Sequence, residues 1–116
     1  MRTQNVFILY SHPLFAKGIE TLLRQDRRLR VVGMETDEKA GMERIAVLQP
    51  DVVIVDADAR GFEPVATARR VFKESPESRI IELDIVSNGM RVYNNRSVPD
   101  DAVRDLIRAI KKRVAW

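Results

Sequence analysis

A chain of 116 residues, 45% hydrophobic and 32% charged, is sized and composed for one globular domain, residues 1–116, without material for a second core. With no cysteine it has neither disulfides nor thiolate metal sites, and no apolar run approaches the roughly 20 residues of a membrane span. The 20 basic against 17 acidic residues leave a net charge of only +3, and with no signal-peptide pattern at its start the chain reads as a cytoplasmic protein.

Asn5 to Tyr10 is an apolar run too short for a helix and reads as a buried strand. In Ser11-His12-Pro13, Ser11 or His12 can cap a helix whose first turn holds Pro13, so His12 is read as a helix start rather than as a general base. Phe15, Ile19, Leu22 and Leu23 recur at helical spacing to about Gln25, with Lys17, Glu20 and Arg24 outward. A second strand covers Arg30 to Glu35. Thr36 or Asp37 then caps a second helix whose apolar side is Ala40, Ile45 and Leu48, ending before Pro50.

Val52-Val53-Ile54-Val55 are four consecutive β-branched aliphatics. They cannot alternate between core and solvent, and so predict a central strand buried on both faces of a parallel sheet. Asp56 ends that strand, and open α/β sheets place ligand and catalytic groups at the carboxyl ends of their strands. Val65, Ala68, Val71 and Phe72 mark a third helix, closed by Ser75-Pro76. The order β-α-β-α-β-α with right-handed crossovers defines a doubly wound α/β sheet.

The second half departs from that alternation. Arg79 to Ser87 reads as a strand and runs directly through Asn88-Gly89 into Met90 to Asn95, with no room for the dozen or so residues of a parallel crossover. Asn88-Gly89 predicts instead a type I′ hairpin with Ile85 opposite Val92 and Leu83 opposite Asn94. Ile81, Leu83, Ile85, Met90 and Val92 then share an apolar face, and Glu82, Asp84, Arg91, Tyr93 and Asn95 a polar one. Pro99-Asp100-Asp101 opens a last helix bearing Val103, Leu106, Ile107, Ile110 and Val114, whose Arg104, Arg108, Lys111, Lys112 and Arg113 form a solvated basic face.

The segments Leu9-Tyr10-Ser11-His12-Pro13-Leu14-Phe15, Val31-Val32-Gly33, Gln49 to Asp56 and Ser97-Val98-Pro99-Asp100-Asp101 together resemble the receiver domain of response regulators. The likeness is to the kind that precedes a LuxR or NarL-type DNA-binding domain. It implies a mostly parallel five-stranded sheet of order 2-1-3-4-5, here with the fourth helix missing and the last two strands an antiparallel hairpin. It also implies Mg²⁺-dependent self-phosphorylation on an aspartate, which by position is Asp56. The acidic pair that holds the metal falls on Tyr10 and Ser11, the switch Ser/Thr on Asp84 and the lysine on Asn95. Without the pair, Asp56 is the one obvious protein ligand for Mg²⁺, and neutral Asn95 cannot balance phosphoryl charge. Asp84 would repel an arriving phosphate by on the order of 1 to 4 kcal/mol at about 4 Å.

The expected function is therefore that of an atypical pseudo-receiver, a phosphorylation-independent signalling and dimerisation module in two-component transcriptional control, with no cofactor. Tyr10 is expected to fill the emptied metal site and Asp56 to serve as a polar strand terminus. Expected partners are a second copy of the chain, side by side or exchanging the last strand and helix, and a downstream DNA-binding domain or other protein, with no membrane partner. The interaction surface is placed on Arg91 and Tyr93, left uncovered by the missing helix, and on Arg104 and Arg108. The alternative is a true phosphoacceptor, with Asp58 or Asp84 helping Asp56 to hold Mg²⁺. A third reading is nucleic-acid binding through Arg108 and Lys112.

Overall fold

The computed structural model describes residues 2–56, 64–84 and 89–95. Its elements are β1 (Gln4–Leu9), α1 (Pro13–Arg24), β2 (Leu29–Glu35), α2 (Glu38–Leu48), β3 (Val52–Asp56), α3 (Pro64–Glu74), β4 (Arg79–Asp84) and β5 (Gly89–Tyr93). The strands form one sheet in the order β2-β1-β3-β4-β5, parallel except where β5 runs antiparallel to β4. This is the doubly wound α/β architecture expected, with only residues 85–88 between the fourth and fifth strands.

β3 takes the middle because all five of its residues are buried, two-sided burial that only helices on both faces can supply. The period of two sends Phe7, Leu9, Val53, Val55 and Ile80 to one face, under Ile45 of α2 and Ala68, Val71 and Phe72 of α3. Val6, Ile8, Val52 and Ile54 go to the other, against Ala16 of α1, with Ile19 and Leu23 packed alongside. At the amino end of the strands, Asp51 Oδ2 accepts from the Asn5 amide at 2.8 Å and Ser78 Oγ donates to the Pro50 carbonyl at 2.5 Å.

α2 begins where Asp37 accepts the Ala40 amide at 2.8 Å, one of the two caps expected. It ends at Gln49, whose φ of 47° is left-handed; its backbone N–H donates to the Ile45 carbonyl at 2.9 Å, and its side-chain Nε2 donates to the carbonyls of Ala46 at 2.8 Å and Glu74 at 2.7 Å. The expected apolar side holds at Ile45. Leu48, however, is exposed, and Gly41 and Met42 complete the buried side. The reason is close approach: a Cβ on Gly41 would collide with the Leu9 side chain, which lies fully inside the core. Gly41→Ala should therefore lower stability by about 1–2 kcal/mol, overpacking outweighing the gain in helix propensity. Gly18 of α1 faces open space, and Gly18→Ala should raise stability by about 0.5–1 kcal/mol. Urea denaturation of the two variants, with opposite signs expected, checks both.

The hairpin is present with a different register. Leu83 pairs with Met90, Ile81 with Val92, Ile80 with Tyr93 and Asp84 with Gly89, so β4 stops at Asp84 and the Leu83–Asn94 and Ile85–Val92 pairings are wrong. β3 supports β4 only as far as Leu83, opposite Asp56, so a longer β4 would lack a ladder on that side. The offset is even, and the face of each side chain survives it. The expected terminal helix with Arg104, Arg108 and Lys112, the loop carrying Asp58 and the side chain of Asp84 lie outside the described residues. Among the described residues no helix is long and apolar enough to cross a membrane.

Candidate functional site

The β1–β3 register ends with Leu9 beside Val55, so the residues that follow β1 arrive next to Asp56 at the carboxyl edge of the sheet. Asp56 is 1% exposed. Its Oδ2 lies 2.7 Å from His12 Nδ1, and the His12 side chain keeps 51% of its surface in water. Burying a carboxylate is costly unless it is hydrogen-bonded or paired, and the imidazole meets that need.

His12 is held for this by the helix it starts. It occupies the N-cap of α1 with extended backbone, φ −112° and ψ 100°, and Pro13 follows at the first helical position. Its carbonyl accepts the Ala16 amide at 3.0 Å, while its side chain makes no cap bond and is free to turn to Asp56. Ser11 Oγ approaches the same Nδ1 at 3.2 Å. The helix-start role read from the sequence thus belongs to the backbone of His12, and its ring does something that reading set aside. The signal was available: two polar residues, each just after a buried run, stand at the same end of adjacent parallel strands.

The other carried-over positions are dispersed. Tyr10 is half-buried, packs on the cluster beneath α1 and donates its amide to the Glu35 carbonyl at 3.0 Å. Asp84 ends β4 one step beyond Leu83, the partner of Asp56. Asn95 is nowhere near. Because β5 is antiparallel, Asn95 emerges at the opposite end of the sheet and donates to the Pro76 carbonyl at 3.2 Å, about 15–20 Å along the strands from Asp56. Its placement at the site by analogy with a parallel fifth strand is corrected by that reversal.

Tyr93 also departs from the expected exposed face. It is half-buried against the core under α3, and its hydroxyl donates to Glu82 Oε2 at 2.9 Å, where Glu82 itself is buried. Burial, and then the Glu82 bond, raise the Tyr93 hydroxyl above its ordinary pKa of 10.0. Arg91, opposite Glu82, remains exposed. On the reverse face Met90 and Val92 are 64% and 52% exposed, so apolar rather than polar side chains of β5 meet solvent.

The residues described do not suit the Mg²⁺ that the receiver resemblance implies. Tyr10 and Ser11 contribute no carboxylate, Asp56 Oδ2 is engaged by His12, and no group of three or more acids, histidines or cysteines among the described residues is arranged to hold a metal.

The fold and the position of Asp56 define the class as receiver-like, and the comparisons with known proteins agree. No protein-family model matches the sequence. The chain is 23% identical over 117 residues to the nitrate/nitrite response regulator protein NarL of Escherichia coli K12, covering 95% of this chain and 54% of that one. It is 30% identical over 79 residues to a protein-glutamate methylesterase/protein-glutamine glutaminase of Methanosarcina acetivorans, covering 68% of this chain and 22% of the relative. The chain thus spans between about a fifth and about half of the length of these relatives. Among solved structures, the signal receiver domain of the response regulator NarL from Mycobacterium tuberculosis superposes with a TM-score of 0.64 at 26% identity, covering 72% of this chain and 68% of that one. RcsB from Salmonella enterica serovar Typhimurium, bound to promoter P1flhDC in the presence of phosphomimetic BeF3−, gives a TM-score of 0.64 at 26% identity over 72% of this chain and 42% of its own. The chain belongs with the receiver domains of response regulators, and its relatives include regulators of the NarL type.

Proposed function

We propose that this receiver domain works without phosphorylation, as a protein-contact module of an atypical cytoplasmic response regulator in transcriptional control. The observation that carries the reading is the His12–Asp56 pair: the position of the phosphoacceptor is buried and bonded to an imidazole, with tyrosine and serine where metal-binding acids belong. A phosphoryl group arriving there would meet a carboxylate without the divalent cation that neutralises charge in such transfers.

Contact with a second copy, and with a DNA-binding domain, is the output this reading assigns. Exposed Leu14 and Leu22 on α1 and Met90 and Val92 on β5 supply apolar surface for it, and RcsB bound to a promoter supports the transcriptional setting. The test is incubation with acetyl phosphate and Mg²⁺ followed by intact mass and sedimentation. The expected result is unchanged mass, with a dimer already present before the donor is added. Gain of one phosphoryl mass, lost in Asp56→Asn, would establish the alternative in which Asp56 is a working phosphoacceptor.

A further inference from the structure

The amino edge of the sheet concentrates the positive charge of the molecule. Arg24, Arg27, Arg28 and Arg30 against Asp26 give residues 24–30 a net charge of +3, the whole of the chain's +3, so all other residues together sum to zero. The strand pairing extends this stretch into a stripe along one rim. The Gln4 amide donates to the Arg28 carbonyl at 2.7 Å, Arg30 lies beside Asn5 in the β1–β2 register, Arg79 lies beside Val52 in the β3–β4 register, and Arg2 reaches Asp51 at 3.6 Å. Arg2, Arg27, Arg28, Arg30 and Arg79 are all exposed. We propose that this rim is a contact for the phosphate backbone of duplex DNA, made without reading base sequence. It goes beyond the protein-contact reading and uses a face at the opposite end of the strands from Asp56.

The guanidinium groups themselves favour this partner. Among the described arginines, Arg27, Arg30 and Arg79 take part in no side-chain hydrogen bond or ion pair, and all three stand at this rim. Elsewhere Arg44 donates to the Met34 carbonyl and Arg70 pairs with Glu38. Asp26, the acid within the basic stretch, is engaged by Arg28 at 2.8 Å and leaves Arg27 and Arg30 uncompensated. Glu77, two positions before Arg79, offsets that cation, so the contact centres on the β2 side of the rim. From Arg30 to Arg79 are three strand spacings, about 15 Å, comparable with the roughly 12 Å width of a major groove, so the stripe can meet phosphates of both strands. Each guanidinium offers a planar fork of donors that matches two phosphate oxygens. None of the exposed large hydrophobic residues described is aromatic, so the surface lacks a platform on which unpaired bases would stack, and a duplex is the better fit than a single strand.

The experiment is fluorescence anisotropy of a short labelled DNA duplex titrated with the whole chain, from low to physiological salt. The wild type should bind with an affinity that falls as salt rises, and a duplex of unrelated sequence should bind within about twofold of the first. Arg27→Gln/Arg30→Gln should bind about fivefold or more weakly at low salt, with the slope of log affinity against log salt shallower by about 2. Lys39→Gln/Lys73→Gln, which removes the same charge from exposed positions on α2 and α3, should stay within about twofold of the wild type. Because Arg27 and Arg30 hold no bond in the fold, their variant should melt with the wild type, which separates a lost contact from a lost structure. Absence of wild-type binding at low salt overturns the proposal, as does an equal loss in the two double variants or a loss confined to Arg108→Gln/Lys112→Gln. Binding of a polyglutamate peptide but not the duplex, abolished in Arg27→Gln/Arg30→Gln, overturns it as well and assigns the rim to an acidic protein. None of these outcomes depends on the chemistry at Asp56, so the phosphorylation-independent reading stands or falls by its own test.

Discussion

Phe7→Ala is expected to lower the unfolding free energy by about 3–5 kcal/mol, a large share of the roughly 5–15 kcal/mol available to a domain of this kind. Phe7 is fully buried on β1, in the cluster shared with α2 and α3. Its ring is boxed from two further sides. The Arg44 guanidinium lies 5.3 Å from the ring centroid, and a Cβ on Gly33 of the neighbouring strand would stand 2.6 Å from ring carbon Cε2. The space is built around an aromatic ring, so truncation leaves a cavity that a rigid sheet can scarcely close. Urea unfolding should show a lower midpoint with little change in slope. Arg44→Ala, removing the exposed cation alone, should cost no more than about 1 kcal/mol. A loss below about 1 kcal/mol for Phe7→Ala would mean that the cluster does not carry the fold.

Tyr93→Phe should cost about 1–3 kcal/mol, because it deletes the hydroxyl donor of a carboxylate that is only 7% exposed and leaves that oxygen without it. The same bond makes stability pH-dependent in a definite direction. Burial and Glu82 raise the pKa of the folded-state hydroxyl above 10.0, so the folded protein holds this proton to higher pH than the unfolded chain. The stabilisation is complete below the unfolded value near 10 and is lost as pH rises through the higher folded value. Denaturation curves measured from neutral to strongly alkaline pH should lose stability at the alkaline end, and Tyr93→Phe should remove that component. An unchanged alkaline slope in the variant would assign it to other groups.

How far the sequence reveals this molecule depends on which physical signal each part emits. β3 is legible because Val52 to Val55 leave no polar face, and α3 because Val65, Ala68, Val71 and Phe72 repeat at helical spacing. The hairpin was half legible: periodicity of two reports which face a side chain takes but is blind to an even slip, and the Asn88-Gly89 signal does not weigh where β3 stops supporting β4. α2 misled at Leu48 because its contact with the sheet is made through Gly41, a residue without a side chain to register in an apolar pattern. At the site, Asp56 was legible from its place at a strand end. The His12 pairing depends on the relative placement of two segments 44 positions apart, which local propensity does not report. Asn95 was misplaced for the converse reason: it was positioned by likeness to a parallel strand, and the chain runs the other way.

That reversal alters the wiring of the module. In a sheet whose last strand is parallel, the backbone leaves beside the carboxyl edge, and an event at the central aspartate is next door to whatever follows. Here the polypeptide leaves Tyr93 at the far rim, beside Ile80 and the turn at Pro76, while Gly89 is the end of β5 nearest to Asp56. Between Asp56 and residue 95 lies the whole length of β5, from Gly89 to Tyr93. The two ends of β5 thus lie at opposite rims of the sheet, Gly89 on the side of Asp56 and Tyr93 on the side of Pro76, so the pocket at the carboxyl edge and the far end of the last strand are separated by the full length of the sheet.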